Sequence, residues 1–339
     1  MGESLQTFID VYMPEVETEL RRIVARSNGE TYRTLHYMLA YHLGWEGEGA
    51  GASTTGKRLR PLITLLTTQA SDGDWHNSLP AAACVELIHN FSLIHDDIED
   101  NSPTRRGRQT VWSRWGVPQA VNAGDAMFSL AHLALLRLAE TTSIEIAFQA
   151  AQVVHQTCLS LTKGQFLDIS FESHSDVSIE DYWQMSRGKT AALFAACFEL
   201  GALCAGAAAE RCAAYHRLGE SLGLAFQALD DLLGIWGDPK RTGKSAASDL
   251  LEGKKTLPVL FGVNKRGNFD QRWRQGKILP YEVEGLAAQL EKEGARAYTL
   301  ETAARLTNEA LAAMEQAAPQ GEAGHALAAL VNQLLERDM

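Results

Sequence analysis

Apolar residues recur every three or four positions through residues 8–25, 32–43, 61–70, 79–100, 118–138, 143–164, 179–206, 207–236, 256–262 and 282–318. That is the period of a helix with one buried face. No segment alternates apolar and polar residues as a half-buried strand does. The pattern predicts an all-α fold. Glycine-rich or acidic stretches at 47–53 and 72–74 mark loops, and residues 265–280, which mix charges with Trp273 and two glycines, are expected to form another. The alanine- and glutamate-rich stretch 287–336 predicts a pair of exposed helices. Residues 190–209 form the most membrane-like run, but Glu199 and many small residues interrupt it, so a core helix is expected there and no membrane span.

Two of these helices carry unusual charge. In Ser92-Leu93-Ile94-His95-Asp96-Asp97-Ile98-Glu99-Asp100, Asp96 and Asp100 stand one turn apart. Their carboxylates share a face roughly 6 Å apart, while Asp97 is turned about 100° away. Like charges so close repel unless a cation lies between them. Magnesium suits such a pair, since it takes one or two carboxylates and completes its shell with water and phosphate oxygens. Arg105 and Arg106 follow within a few residues, and their planar forks match phosphate oxygens. A solvated acidic helix end followed by a basic turn is the plainer alternative.

The second helix weakens that alternative. Residues 219–234 place apolar side chains at 222, 226, 229, 232 and 233 and carry Asp230-Asp231, with Gln227 on the same face. A glycine- and cation-bearing stretch follows again, with Lys240, Arg241 and Lys244, then Asp249 and Lys254. An acid pair leading into a basic loop is the one internal repeat of the chain.

Bulk properties narrow the class. A net charge of −11 over 339 residues argues against nucleic acid as a partner. Five cysteines lie scattered in apolar helical stretches without a Cys-x-x-Cys pair, which reads as buried thiols in a reducing compartment and points to the cytoplasm. The first thirty residues are charged and amphipathic and lack the apolar core of a secretory signal.

At least six motifs, in order from about residue 56 to about residue 260, give the chain its resemblance to the trans-isoprenyl diphosphate synthases, the polyprenyl synthetase family. They are Gly56-Lys57-Arg58-Leu59-Arg60-Pro61, the Asp96–Asp100 run with Arg105-Arg106-Gly107, Asn122-Ala123-Gly124-Asp125, Gly164-Gln165-x-x-Asp168, Lys189-Thr190, and Phe226-Gln227-x-x-Asp230-Asp231. The resemblance implies one helical isoprenoid synthase domain over residues 1–339 around a central apolar cavity, although length alone would suggest about two domains. It implies magnesium, three ions per site, on Asp96, Asp100 and Asp230. Arg105, Lys189, Lys244 and Lys254 would hold an allylic diphosphate, and Lys57, Arg60, His89 and Arg106 would hold isopentenyl diphosphate. Thr190 and Gln227 would stabilise the allylic cation, and a homodimer is expected. The second motif departs from the family at Gly234, where a third aspartate is usual.

In the family, residues just before the first acidic motif floor the hydrocarbon pocket. Phe91 and Ser92 there resemble enzymes making the C20 product, geranylgeranyl diphosphate, with C15 and C25 as alternatives. Helical geometry puts Ser92 about 40° from Asp96 but Phe91 about 140° away. Three further rivals are a class I terpene cyclase, a head-to-head synthase of the squalene type and a non-catalytic partner subunit.

Overall fold

The computed structural model describes residues 3–174, 176–238 and 247–336. Its long helices are α1 (Glu3–Val24), α2 (Arg33–His42), α3 (Leu59–Ala70), α4 (Leu79–Glu99), α5 (Val117–Leu135), α6 (Ile144–Ser173), α7 (Ile179–Ser186), α8 (Ala192–Cys204), α9 (Ala209–Trp236), α10 (Leu257–Asn264), α11 (Asn268–Trp273), α12 (Val283–Lys292), α13 (Ala295–Ala317) and α14 (Gly321–Leu335). Among the described residues, strand pairing is confined to a two-stranded antiparallel ladder of β1 (Thr104–Arg105) and β2 (Arg108–Gln109). Two compact units are present. The first is the chain up to Cys158 with Ala196–Tyr215 and Ala317–Ala329, and the second is Leu159–Ala195, His216–Gln316 and the chain from Leu330 onward.

In the first unit, Leu20 and Ile23 of α1, Ile63 and Leu66 of α3, and Leu87 and Ile88 of α4 are buried, each contributing about 1.5–3 kcal/mol. Helix α4 packs along α5 at very short range. A Cβ on Gly124 would lie 2.1 Å from His95 Nε2, so the bare backbone of α5 is what admits the imidazole. Helix α4 ends immediately after its acidic motif. Asn101 adopts φ 51°, the Asn101 amide donates to Ile98 O and the Ser102 amide to Asp97 O, a Schellman closure. The chain then turns through β1 and β2, with Arg106 and Gly107 both at positive φ (52° and 74°), as a two-residue type I′ hairpin requires.

The second unit has two apolar clusters. Phe171, Tyr182, Leu229, Leu232, Leu257 and Leu260 form one, and Ile235, Phe269, Ile278, Val283, Leu286 and Leu290 the other. Helix α7 starts on a capping box in which Ser178 and Asp181 exchange hydrogen bonds. It runs into α8 through a π-helical turn, Arg187–Ala191.

Several expectations need correction. Residues 265–280 are not all loop, because α11 lies there with Phe269 fully buried and stacked on Trp273; the surrounding charges and glycines hid a single apolar anchor. The stretch 287–336 is not a pair of exposed helices. Leu290, Ala295, Ala310, Leu327 and Val331 are all buried, since alanine packs closely as readily as it faces water. The long helix expected over 282–318 is broken at Gly294, whose φ is 91°. Expected without strands, the chain nevertheless pairs β1 with β2, too short to show a period.

A buried polar cluster anchors the basic motif before α3. Arg58 sits in the left-handed region at φ 46°, a conformation that costs a non-glycine residue about 1–2 kcal/mol. Its guanidinium donates to Glu17 Oε1 (2.7 Å), Glu86 Oε1 (2.8 Å) and Leu43 O (3.2 Å), and Glu86 also accepts from Asn90 at 2.8 Å. With only 3% and 4% of the Arg58 and Glu86 side chains exposed, removing one partner strands the other. Glu86→Ala is therefore expected to lower the free energy of unfolding by about 3–5 kcal/mol, as read from the denaturant midpoint; an unmoved midpoint would refute the anchor.

Candidate active site

In the first unit the acidic motif divides its carboxylates between inside and outside. Asp96 is half-buried, Asp100 exposed and Asp97 buried, the consequence of a 100° step per residue. Asp97 receives Arg105 Nε on both oxygens, at 2.9 and 3.1 Å. Burial pushes the Asp97 carboxyl up to about 6 although the Arg105 guanidinium pulls it down. Arg105 is thus anchored through Nε by the residue between the two outward acids.

Arg106, at the hairpin turn, reaches back to the loop before α3. Its Nη1 donates to Thr54 O at 2.8 Å, and a Cβ on Gly56 would lie 2.8 Å from Nη2, so glycine is needed there for the guanidinium to dock. Lys57 is exposed beside that contact and Arg60 half-buried one turn on. His89 feels Arg60, Arg106 and Arg105. Burial first, and then those cations, hold its imidazole well below the usual range. The imidazole is therefore neutral at pH 7. Beneath the hairpin a polar cavity is lined by Tyr41, His42, Thr54, Arg105, Arg106 and Arg108, among others.

Phe91 is half-buried and lies edge-on to the rings of His95 (5.3 Å between centroids) and Phe128 (5.1 Å). Phe128 in turn meets His132, and His132 stacks on His155. Ser92 donates to His89 O at 2.9 Å.

The second unit holds the other motifs. Helix α6 presses its glycine against the π-helical turn: a Cβ on Gly164 would sit 2.2 Å from Lys189 N, and one on Gly188 2.6 Å from Ser160 O. This close approach brings Lys189 into an ion pair with Asp168. The next residue, Thr190, donates to Gln227 Oε1 at 2.8 Å, and Gln227 Nε2 donates to Asp231 Oδ1 at 2.9 Å. Asp231 also accepts from Tyr182 OH (2.7 Å) and from Leu257 N at the start of α10 (2.8 Å). Burial pushes its carboxyl up to about 7 against those three hydrogen bonds. Asp230, one step round the helix, is half-buried.

Within the first unit, Arg60, Arg105 and Arg106 lie close enough to His89 to act on it. Within the second, Lys189, Thr190 and Gln227 are neighbours. Lys254 is exposed and pairs with Glu252 at 2.6 Å, and Lys244 lies outside the described residues. Sequence reasoning gives no role to Asp97, Asp231, Asp168 or Tyr182. A helical wheel shows that Asp97 points away from Asp96 and Asp100 and that Asp231 shares a face with Gln227, but not what else they meet.

Among the described residues no three histidine, cysteine or carboxylate side chains form a ready-made metal site. The donors are acid pairs with hard oxygens, which fit an ion that completes its shell with water and diphosphate. Among the same residues no helix is long and apolar enough to cross a membrane.

The family model for polyprenyl synthetase matches residues 50–279. A geranylgeranyl diphosphate synthase of Mycobacterium tuberculosis is 45% identical over 231 residues, 68% of this chain and 65% of that protein. A (2E,6E)-farnesyl diphosphate synthase of Mycobacterium bovis is 44% identical over 237 residues, 69% of this chain and 65% of that protein. The chain thus spans 65%, just under two thirds, of the length of these relatives. A polyprenyl synthase of Caulobacter crescentus, solved with calcium and isoprenyl diphosphate, superposes with a TM-score of 0.81 over 99% of this chain and 98% of that one at 29% identity.

Gly234 has a local structural reason. A Cβ there would lie 1.9 Å from Asp249 Oδ2, so the carboxylate of Asp249 occupies the space a side chain at 234 would need. In an open helix Gly→Ala gains about 1 kcal/mol, whereas overpacking costs about 1–3 kcal/mol. Gly234→Ala is expected to lower the melting temperature, and the further change Asp249→Ala to recover it; a Gly234→Ala protein that melts higher would contradict the contact.

Proposed function

We propose that this chain, which belongs to the polyprenyl synthetase family, is a trans-prenyl diphosphate synthase working as a single isoprenoid synthase domain. It would join an allylic diphosphate head-to-tail to isopentenyl diphosphate. The observation that carries the reading is the clasp of Asp97 on Arg105, which sets a phosphate-binding guanidinium beside two outward carboxylates. Asp96, Asp100 and Asp230 would hold magnesium, three ions in all, which when bound would supply the charge that neutralises the departing diphosphate. Arg105, Lys189, Lys244 and Lys254 hold that diphosphate while its C–O bond breaks. Lys57, Arg60, Arg106 and His89 hold the diphosphate of isopentenyl diphosphate. Thr190 and Gln227 present oxygen to the allylic cation. Apolar side chains exclude the water that would trap that cation as an alcohol. The departed diphosphate takes the closing proton.

Product length is proposed as C20. Phe91 forms the floor, backed by the Phe128 ring and then by His132. The relatives make both C20 and C15 compounds by name, and a half-buried ring braced from behind supports a firm stop. A homodimer is proposed from exposed apolar residues on α6: Ile144, Phe148, Leu159, Phe166 and Ile169 fall within about 80° of one another around the helix, and such stripes mark association surfaces. Buried free cysteines support a reducing, cytoplasmic setting.

Radiolabelled isopentenyl diphosphate offered with C5, C10 and C15 starters is expected to enter prenyl diphosphate only when magnesium is present. No incorporation with any starter would reject the function, and hydrocarbon released from geranylgeranyl diphosphate alone would favour a cyclase. Phe91→Ala is expected to shift products beyond C20 by mass spectrometry, and Phe91→Ala with Phe128→Ala further still; an unchanged distribution would remove Phe91 from the floor. Light scattering should give twice the chain mass, and Phe148→Glu with Phe166→Glu should halve it.

A further inference from the structure

We propose that Asp231 is a positioning residue that sets the direction of the hydrogen bonds through Gln227 to Thr190, so that the Thr190 hydroxyl meets the prenyl chain with lone pairs only. This rests on the reading above, in which Thr190 lies against the allylic cation.

Asp231 accepts at both of its oxygens, and a carboxyl group that does so donates none, whereas a side-chain amide has one end of each kind. Asp231 takes three donors: Tyr182 OH and Leu257 N on Oδ2, and Gln227 Nε2 on Oδ1. The Leu257 amide belongs to the first turn of α10 and can only donate, so Oδ2 must remain an acceptor. Facing an acceptor at Oδ1, the Gln227 amide turns its NH₂ group toward Asp231, which aims Oε1 at Thr190, 2.8 Å away. Thr190 must then give its one proton to Gln227. Its two lone pairs are all the hydroxyl has left to offer. A cation beside Thr190 therefore meets the negative end of a fixed dipole, at no reorganisation cost. Tyr182, Asp231 and Leu257 are buried, so water does not compete for the two bonds on Oδ2, while Gln227 and Thr190 are half-buried.

Asp231→Asn tests the direction directly. Leu257 N forces the oxygen of the new amide to stay where Oδ2 was, so its NH₂ faces Gln227. Gln227 must turn over, and Thr190 becomes an acceptor whose proton points at the substrate. The expected result is a fall in kcat of about 10- to 100-fold, with KM for both substrates little changed. Adding Gln227→Glu supplies a carboxylate that accepts from the new amide and from Thr190 alike, and most of the lost kcat should return. In a Thr190→Val background, Asp231→Asn should cost clearly less than it does with Thr190 present, leaving only the part that comes through Gln227 itself.

The failures are separable. If Thr190→Val alone leaves kcat unchanged, Thr190 is not at the reacting chain and the proposal falls together with that part of the functional reading. If Thr190→Val lowers kcat but Asp231→Asn does not, or if Gln227→Glu brings no recovery, or if the Asp231→Asn loss is as large on Thr190→Val as with Thr190 present, the direction-setting role is overturned while the functional reading stands. Should Asp231→Asn fail to fold by circular dichroism, Gln227→Met keeps the other two partners of Asp231 and frees the Thr190 proton. Its loss of kcat must then shrink in the Thr190→Val background, and losses that multiply in full would overturn the proposal.

Discussion

Two consecutive residues on a helix point about 100° apart, and that constraint divides each acid pair into an outward carboxylate and an inward one. The outward members, Asp96 with Asp100 and then Asp230, stay partly exposed to water. The inward members are buried, and a buried carboxylate is tolerated only where it is hydrogen-bonded or paired. Asp97 meets this demand with Arg105, and Asp231 with Tyr182, Gln227 and the first amide of α10. In both cases the partner that satisfies the inward acid is a polar arm that reaches substrate in the proposed reaction. Burial and function are therefore coupled: Arg105 cannot leave Asp97 without stranding it, and Gln227 cannot leave Asp231 without taking away one of its three hydrogen bonds.

Close backbone approach is the second device. Gly124 receives His95, Gly56 receives Arg106, and Gly164 with Gly188 bring α6 against the π-helical turn that carries Lys189 and Thr190. A π turn holds one more residue than an α turn between bonded groups and is often found at functional sites. Here it places two consecutive polar residues, one pairing with Asp168 on α6 and the other with Gln227 on α9.

Much of this is legible in the sequence, and the reason is periodicity. The helices, the acid pairs on one face and the shared face of Gln227 and Asp231 all follow from 3.6 residues per turn. What stays hidden depends on contacts between segments far apart in the chain. Arg58 looks like one cation in a basic turn, yet it is buried between Glu17 and Glu86, 41 and 28 residues away. Asp97 can be seen to point elsewhere and Asp231 to share a face with Gln227, but Arg105, Tyr182 and the Leu257 amide cannot be read as their partners. Helix α11 escapes the pattern because Phe269 is a lone apolar anchor among charges, and the 287–336 helices read as exposed because alanine carries no sign of burial.

Gly234 shows how a departure from a motif is read differently once neighbours are known. From the sequence alone it is a lost acid. In the structure the position lies under the Asp249 carboxylate, itself buried and 3.9 Å from the Lys254 ammonium. A side chain at 234 and the present placement of Asp249 exclude each other sterically, so an aspartate restored at 234 would displace a carboxylate already there. The acid count of this region depends on space as much as on sequence, and the glycine belongs with Asp249 as one arrangement.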